Sequence, residues 1–164
     1  MKSGTRITVA ALSLSAAGLV GIALHEGYSS KAIQPVKGDV PTIGFGTTEG
    51  VRPGDTITPP VALQRALRDV MKFEGALKRC VTVPLYQHEY DAFISFSYNV
   101  GSTAFCQSTL VKKLNAGDYT GACAQLLNWT FYKGRNCALP ESRRLCGGLA
   151  TRRQQEYALC MGEL

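Results

Sequence analysis

Cysteine is missing from the first 79 residues, and the six that follow (Cys80, Cys106, Cys123, Cys137, Cys146 and Cys160) form neither a CxxC pair nor a cluster with the two histidines. That excludes a zinc module and leaves disulfides in an oxidising compartment as the reading of an even cysteine count. Cys137 and Cys146 flank a loop of Pro, Arg and Gly and are expected to pair. The other four allow three pairings, which their spacing does not rank. Acids are scarce as well: 12 Asp and Glu face 18 Lys and Arg, for a formal net charge of +6. The basic excess leans to the C-terminal half, from Lys112 and Lys113 through Arg143, Arg144, Arg152 and Arg153, and predicts an acidic polymer as partner. Nucleic acid, anionic lipid and bacterial cell wall share that charge. The absence of a zinc knuckle, an RNA-binding aromatic motif or helix-turn-helix spacing removes nucleic acid. There are no internal repeats and no nucleotide- or metal-binding motif, so no cofactor is expected, and 164 residues suffice for one catalytic unit with a core.

What is present begins with Lys2 and Arg6, followed by an uncharged run from Ile7 to Leu24. This is the charge layout of an export signal, but one rich in Ala, Gly, Ser and Thr, so that its hold on a bilayer is marginal. Ser15-Ala16-Ala17 offers a cleavage site after a short apolar region. An uncleaved anchor able to leave the membrane fits the run better. A helix is then expected to end at His25-Glu26-Gly27 and to hand over to a hairpin: Ala32 to Val36, a turn at Lys37-Gly38-Asp39, and Val40 to Gly46. Glu26 is thereby held over a glycine-rich floor. A carboxyl in apolar surroundings keeps its proton to higher pH and makes a candidate general acid.

Thr58 and Pro59 open a long linking helix with Leu63, Leu67, Val70, Phe73 and Leu77 expected along its buried face. Beyond Pro84, the spacing of Tyr86, Tyr90, Phe93, Ile94 and Tyr98 predicts a core helix ending at Asn99-Val100-Gly101. Ser108 and Asp118 open two short helices, and a last one carries Arg152 and Arg153, expected to be structural, paired with Glu156 or a helix end. The fold class is α+β: a small β-hairpin lobe (25–58), a linking helix (59–80) and a larger all-helical lobe (81–164), preceded by an N-terminal hydrophobic segment (1–24).

Glu26-Gly27, Thr42-Ile43-Gly44-Phe45-Gly46, Asn99-Val100-Gly101, Ser108-Thr109-Leu110, Leu114-Asn115-Ala116-Gly117-Asp118, Trp129, and Gly148-Leu149 before Thr151-Arg152-Arg153 stand in an order that resembles the phage-type lysozymes, glycoside hydrolase family 24. The resemblance runs from Ala23 to Met161. It implies a peptidoglycan substrate, Glu26 as the acid that protonates the leaving oxygen, and Thr42 as the hydroxyl that positions water. It also implies a basic side chain, Arg143 or Arg144, near the acid. The family's aspartate, nine residues after the glutamate, is replaced by Pro35. Asp39 is the only acid between Glu26 and Thr42 and is the candidate substitute, with Glu49 and Asp55 weaker ones. The leader narrows the resemblance to signal-arrest-release endolysins, exported through the host Sec translocon, tethered inactive in the host inner membrane by residues 7–24 and later released to the periplasm. No cysteine lies in the anchor, so control by disulfide rearrangement is excluded and steric restraint is expected. A lytic transglycosylase and a non-enzymatic cationic cell-wall-binding module are the competing readings.

Overall fold

The computed structural model describes residues 4–34 and 38–163. Among them the chain folds as seven α-helices and two small two-stranded antiparallel sheets. It divides into two compact units. One is Ala16–Lys72, and the other joins the residues up to Ser15 with those from Phe73 onward.

The first unit opens with α1 (Ala16–Glu26), whose buried residues are Gly18 and Ile22, one turn apart. It stops because Gly27 adopts a left-handed φ of +68° and its N–H bonds to the Ala23 carbonyl at 3.0 Å, an end that glycine makes without steric cost. Strand β1 (Ser29–Ile33) pairs with β2 (Thr42–Gly44), Ser29 opposite Gly44 and Ile33 opposite Thr42, with an irregularity between these pairs. The hairpin therefore starts three residues earlier than its sequence predicts and has a shorter second strand. Pro35, Val36 and Lys37, which include the start of the expected turn, lie outside the described residues.

Helix α2 (Pro59–Cys80) corrects one expectation. Leu63 and Leu67 are exposed, and the buried row is Ala62, Ala66, Val70 and Leu77. The hairpin sits too close for larger side chains: a Cβ built on Gly44 would stand 2.8 Å from the Ala62 Cβ. Small residues on both surfaces permit this approach, and the leucines point away.

The second unit holds most of the core. Helix α3 (Gln87–Val100) buries Tyr90, Phe93, Ile94 and Phe96. It is followed by α4 (Ser102–Gln107), which the sequence did not signal as separate, and by α5 (Thr109–Asn115) and α6 (Tyr119–Gln125). The Ser108 and Asp118 side chains cap α5 and α6 by accepting the N–H groups of Val111 and Gly121. Lys113 and that N–H hold the Asp118 carboxyl below its usual range. This unit is not wholly helical. Strands β3 (Phe131–Tyr132) and β4 (Arg135–Asn136) form a minimal hairpin, with Lys133 and Gly134 both at positive φ, the geometry of a two-residue turn.

Helix α7 (Arg143–Cys160) carries Arg152, Arg153 and Glu156 into the interior. Arg152 Nε donates to Glu156 Oε1 at 3.0 Å, and Arg153 binds the other carboxylate oxygen, the Trp129 carbonyl and the Asn99 side chain. Burial pulls the Arg153 guanidinium below its ordinary value, and Glu156 opposes that pull. The structural pairing expected for these arginines is the one observed. Disulfides join Cys137 to Cys146, as the loop between them predicts, and Cys80 to Cys106 and Cys123 to Cys160.

The leader is docked on this unit by polar groups. Ile7 exchanges two backbone hydrogen bonds with Leu85, each 2.9 Å. Arg6 donates to Glu89 through Nε (3.0 Å) and Nη2 (2.7 Å), and its guanidinium carbon lies 4.3 Å and 3.6 Å from the Tyr86 and Tyr119 ring centroids. The Glu89 carboxylate raises the Arg6 pKa. Glu74 accepts the Leu14 N–H, and Asp91 accepts both the N–H and the hydroxyl of Ser15. Among the described residues no helix is long and apolar enough to cross a membrane. Residues 7–24 are instead a bridge, a 3₁₀ turn at Val9–Ala11, an irregular segment and most of α1.

Candidate active site

Glu26 is the last residue of α1, and the left-handed Gly27 sends the chain straight into β1. Residues of both strands line the same cavity as the acid. Gly44 and Gly46 adopt φ values of +65° and +82°, and Phe45 lies between them. Ile43 and Thr47 close this turn with reciprocal backbone hydrogen bonds of 2.9 and 3.1 Å. Thr47 is buried, and its hydroxyl donates to Asp69 Oδ2 of α2 at 2.7 Å, which ties the turn to the helix.

Gly46 is where the sequence pattern acquires a reason. A Cβ built there would stand 2.9 Å from Glu26 Oε2 and 3.3 Å from its Cδ and Cγ. The carboxylate lies directly on the backbone of the turn that follows β2, in space that any larger residue would take. The glycine at position 46 is what leaves room for the acid.

Above this floor is a cavity of 340 Å³ lined by Glu26, Gly27, Tyr28, Ser29, Ile33, Thr42, Ile43, Gly44 and Gly46. Two of the three site residues expected from the sequence, Glu26 and Thr42, share it. The Thr42 hydroxyl has only a 3.5 Å contact with the Ile33 carbonyl, at the limit of a hydrogen bond, which leaves its bonding capacity for a ligand or water. Asp39 is exposed on the connecting turn and does not line the cavity; its backbone carbonyl accepts from Gln34 Nε2 at 2.7 Å. Pro35 lies outside the described residues. Among the described residues no group of three His, Cys, Asp or Glu side chains is gathered to hold a metal ion.

Tyr28 and Asp69 escaped the sequence reading. Tyr28 immediately follows the Glu26-Gly27 motif yet matches no recognised pattern. Asp69 reads as an ordinary charged position on a long amphipathic helix. Only the fold brings it under Thr47. The arrangement puts the Glu26 carboxylate and the Thr42 hydroxyl on the wall of one glycine-floored cavity, the minimum for protonating one oxygen and orienting another.

Known proteins resemble this chain over most of its length. The sequence pattern of the phage lysozyme family matches residues 23–156. An endolysin from Acyrthosiphon pisum secondary endosymbiont phage 1 is 41% identical over 150 residues, covering 90% of this chain and 97% of that protein. A SAR-endolysin from Pseudomonas phage phiKMV is 35% identical over 152 residues, covering 93% and 89%. The endolysin from Escherichia coli O157:H7 phage FAHEc1 superimposes with a TM-score of 0.79 at 33% identity, covering 94% of this chain and 96% of that one. With the helix-end glutamate, the glycine-floored hairpin and these matches together, the chain belongs to the phage lysozyme family.

Proposed function

We propose that this lysozyme hydrolyses the β-1,4 bond between N-acetylmuramic acid and N-acetylglucosamine in peptidoglycan and so lyses the host cell for phage release. Glu26 donates its proton to the glycosidic oxygen as the C–O bond breaks, and Thr42 orients the water that attacks the anomeric carbon. The observation that carries the reading is that Glu26 and Thr42 line one cavity. Asp39 is assigned as the base that takes the water's proton, being the only acid between them in sequence. Because Asp39 is exposed and outside the lining, Asp39→Asn is expected to lower activity less than Glu26→Gln.

A lytic transglycosylase would need the acid but no positioned water, and the hydroxyl beside Glu26 favours hydrolysis. Incubating peptidoglycan with the enzyme and analysing the sugar ends separates the two. New reducing ends are expected; anhydro ends would refute hydrolysis. Lysis by Glu26→Gln at the wild-type rate would leave only a cell-wall-binding role.

For location, the proposal is a form tethered in the host inner membrane by residues 7–24 after Sec export, then released to the periplasm. As one continuous helix those residues would span roughly 27 Å, close to the hydrocarbon thickness of about 30 Å. The observed breaks in that run, its docking through Leu14 and Ser15 and that of the preceding Arg6 support a released conformation distinct from the tethered one. With no cysteine in the run, the control is steric.

A further inference from the structure

We infer that Tyr28 is a sugar-stacking residue, whose ring takes the apolar face of a pyranose unit beside the bond that Glu26 protonates. The inference rests on the reading of the Glu26 cavity as the catalytic site and goes beyond it by naming a substrate-binding side chain.

Tyr28 lines the cavity two residues after Glu26, yet 41% of it is exposed. An exposed tyrosine ordinarily keeps its hydroxyl in water and its ring mobile. Here both are restrained. The hydroxyl donates to the Ile57 carbonyl at 2.8 Å, and the ring leans on Phe45 with 5.5 Å between centroids and a tilt of 48°. Phe45 itself stands in the turn closed by Ile43 and Thr47 and tied to Asp69. With its hydroxyl consumed by the protein, what Tyr28 offers a ligand is a fixed aromatic surface.

That surface suits an amphipathic ring. A pyranose carries its hydroxyls around the edge and turns axial C–H groups outward on its faces, so it can shed water onto an aromatic plane while its edge stays hydrogen-bonded. A rigid side chain also loses little conformational freedom on binding. Glycines at the cavity floor keep competing side chains away from the same space.

The test uses the full-length enzyme on purified peptidoglycan, with kcat, KM and thermal unfolding measured for Tyr28→Phe, Tyr28→Ala and Glu26→Gln. Loss of stacking should raise KM about tenfold in Tyr28→Ala with kcat within about threefold, the mark of binding shared by ground and transition states. Tyr28→Phe keeps the ring and should keep the wild-type KM within about threefold, even if loss of the Ile57 bond lowers its melting temperature. An unchanged KM in Tyr28→Ala overturns the inference. So does an equal KM rise in both tyrosine variants that follows their loss of stability, since the role would then be structural. Glu26→Gln reports separately on the foundation: wild-type kcat in that variant would remove the catalytic reading of the cavity, whatever the tyrosine variants do.

Discussion

The unit Ala16–Lys72 holds the Glu26 cavity but no cysteine, whereas the residues from Phe73 onward hold all six, in three disulfides. Their acids are used differently. Glu156 and Glu89 are buried and satisfied by arginines, by the Ser95 hydroxyl and by the Tyr86 N–H. Glu26 is only half-buried, at a helix end and against the backbone of Gly46. A buried carboxylate needs full compensation or it destabilises the fold, while an acid that must donate to a substrate has to remain reachable. The difference teaches that stability and chemistry are separated between the units: the disulfides and the ion pairs of the buried acids Glu89 and Glu156 belong to the unit that includes the residues from Phe73 onward, and the glycine-made space beside Glu26 to the other.

That contrast can be broken most forcefully at Glu156. Glu156→Gln leaves Arg152 and Arg153 buried without their carboxylate and is expected to cost about 3–5 kcal/mol in chemical denaturation. A loss under about 1 kcal/mol would mean that the ion cluster does not hold this unit. Next comes Cys123–Cys160, which closes a loop of sequence separation 37. Replacing both with serine should cost about 4 kcal/mol, read as a lower denaturation midpoint in the absence of reductant. The smallest expected effect is at the leader. Arg6→Ala removes the charged hydrogen bonds to Glu89 and should lower stability by about 2 kcal/mol. It should also expose the Ile7–Leu85 amides to faster hydrogen exchange. Wild-type exchange rates there would show that the leader is held without Arg6.

Legibility in the sequence followed the range of the interaction. Local signals read through: the helix end at Glu26-Gly27, the Ser108 and Asp118 caps, the short Cys137–Cys146 loop, and the pairing of Arg152 and Arg153 with Glu156 one turn away. What depended on distant partners did not. Val70 and Leu77 of α2 are buried as the spacing predicts, but Leu63 and Leu67 are not, because the close approach of Gly44 to Ala62 leaves room only for small residues at that end of the helix. The pairing of the remaining four cysteines is set by how helices pack. The carboxylates that receive the leader, Glu74, Glu89 and Asp91, are 60 to 83 residues from their partners. At the site, Glu26 and Thr42 stand in motifs the sequence displays, whereas the placement of Gly46 against Glu26, of Asp69 against Thr47 and of Tyr28 in the cavity lining emerges only in the fold.

The central claim, that the cavity-bearing unit supplies the chemistry and the disulfide-bearing unit the stability, is tested most directly by measuring peptidoglycan hydrolysis and thermal unfolding on Glu26→Gln. The isosteric amide keeps the shape of the site but has no proton to donate, so hydrolysis should fall by about 10²–10⁴. Its stability should stay within about 0.5 kcal/mol of the wild type. Hydrolysis at the wild-type rate, or a loss of activity accounted for by unfolding, would contradict it.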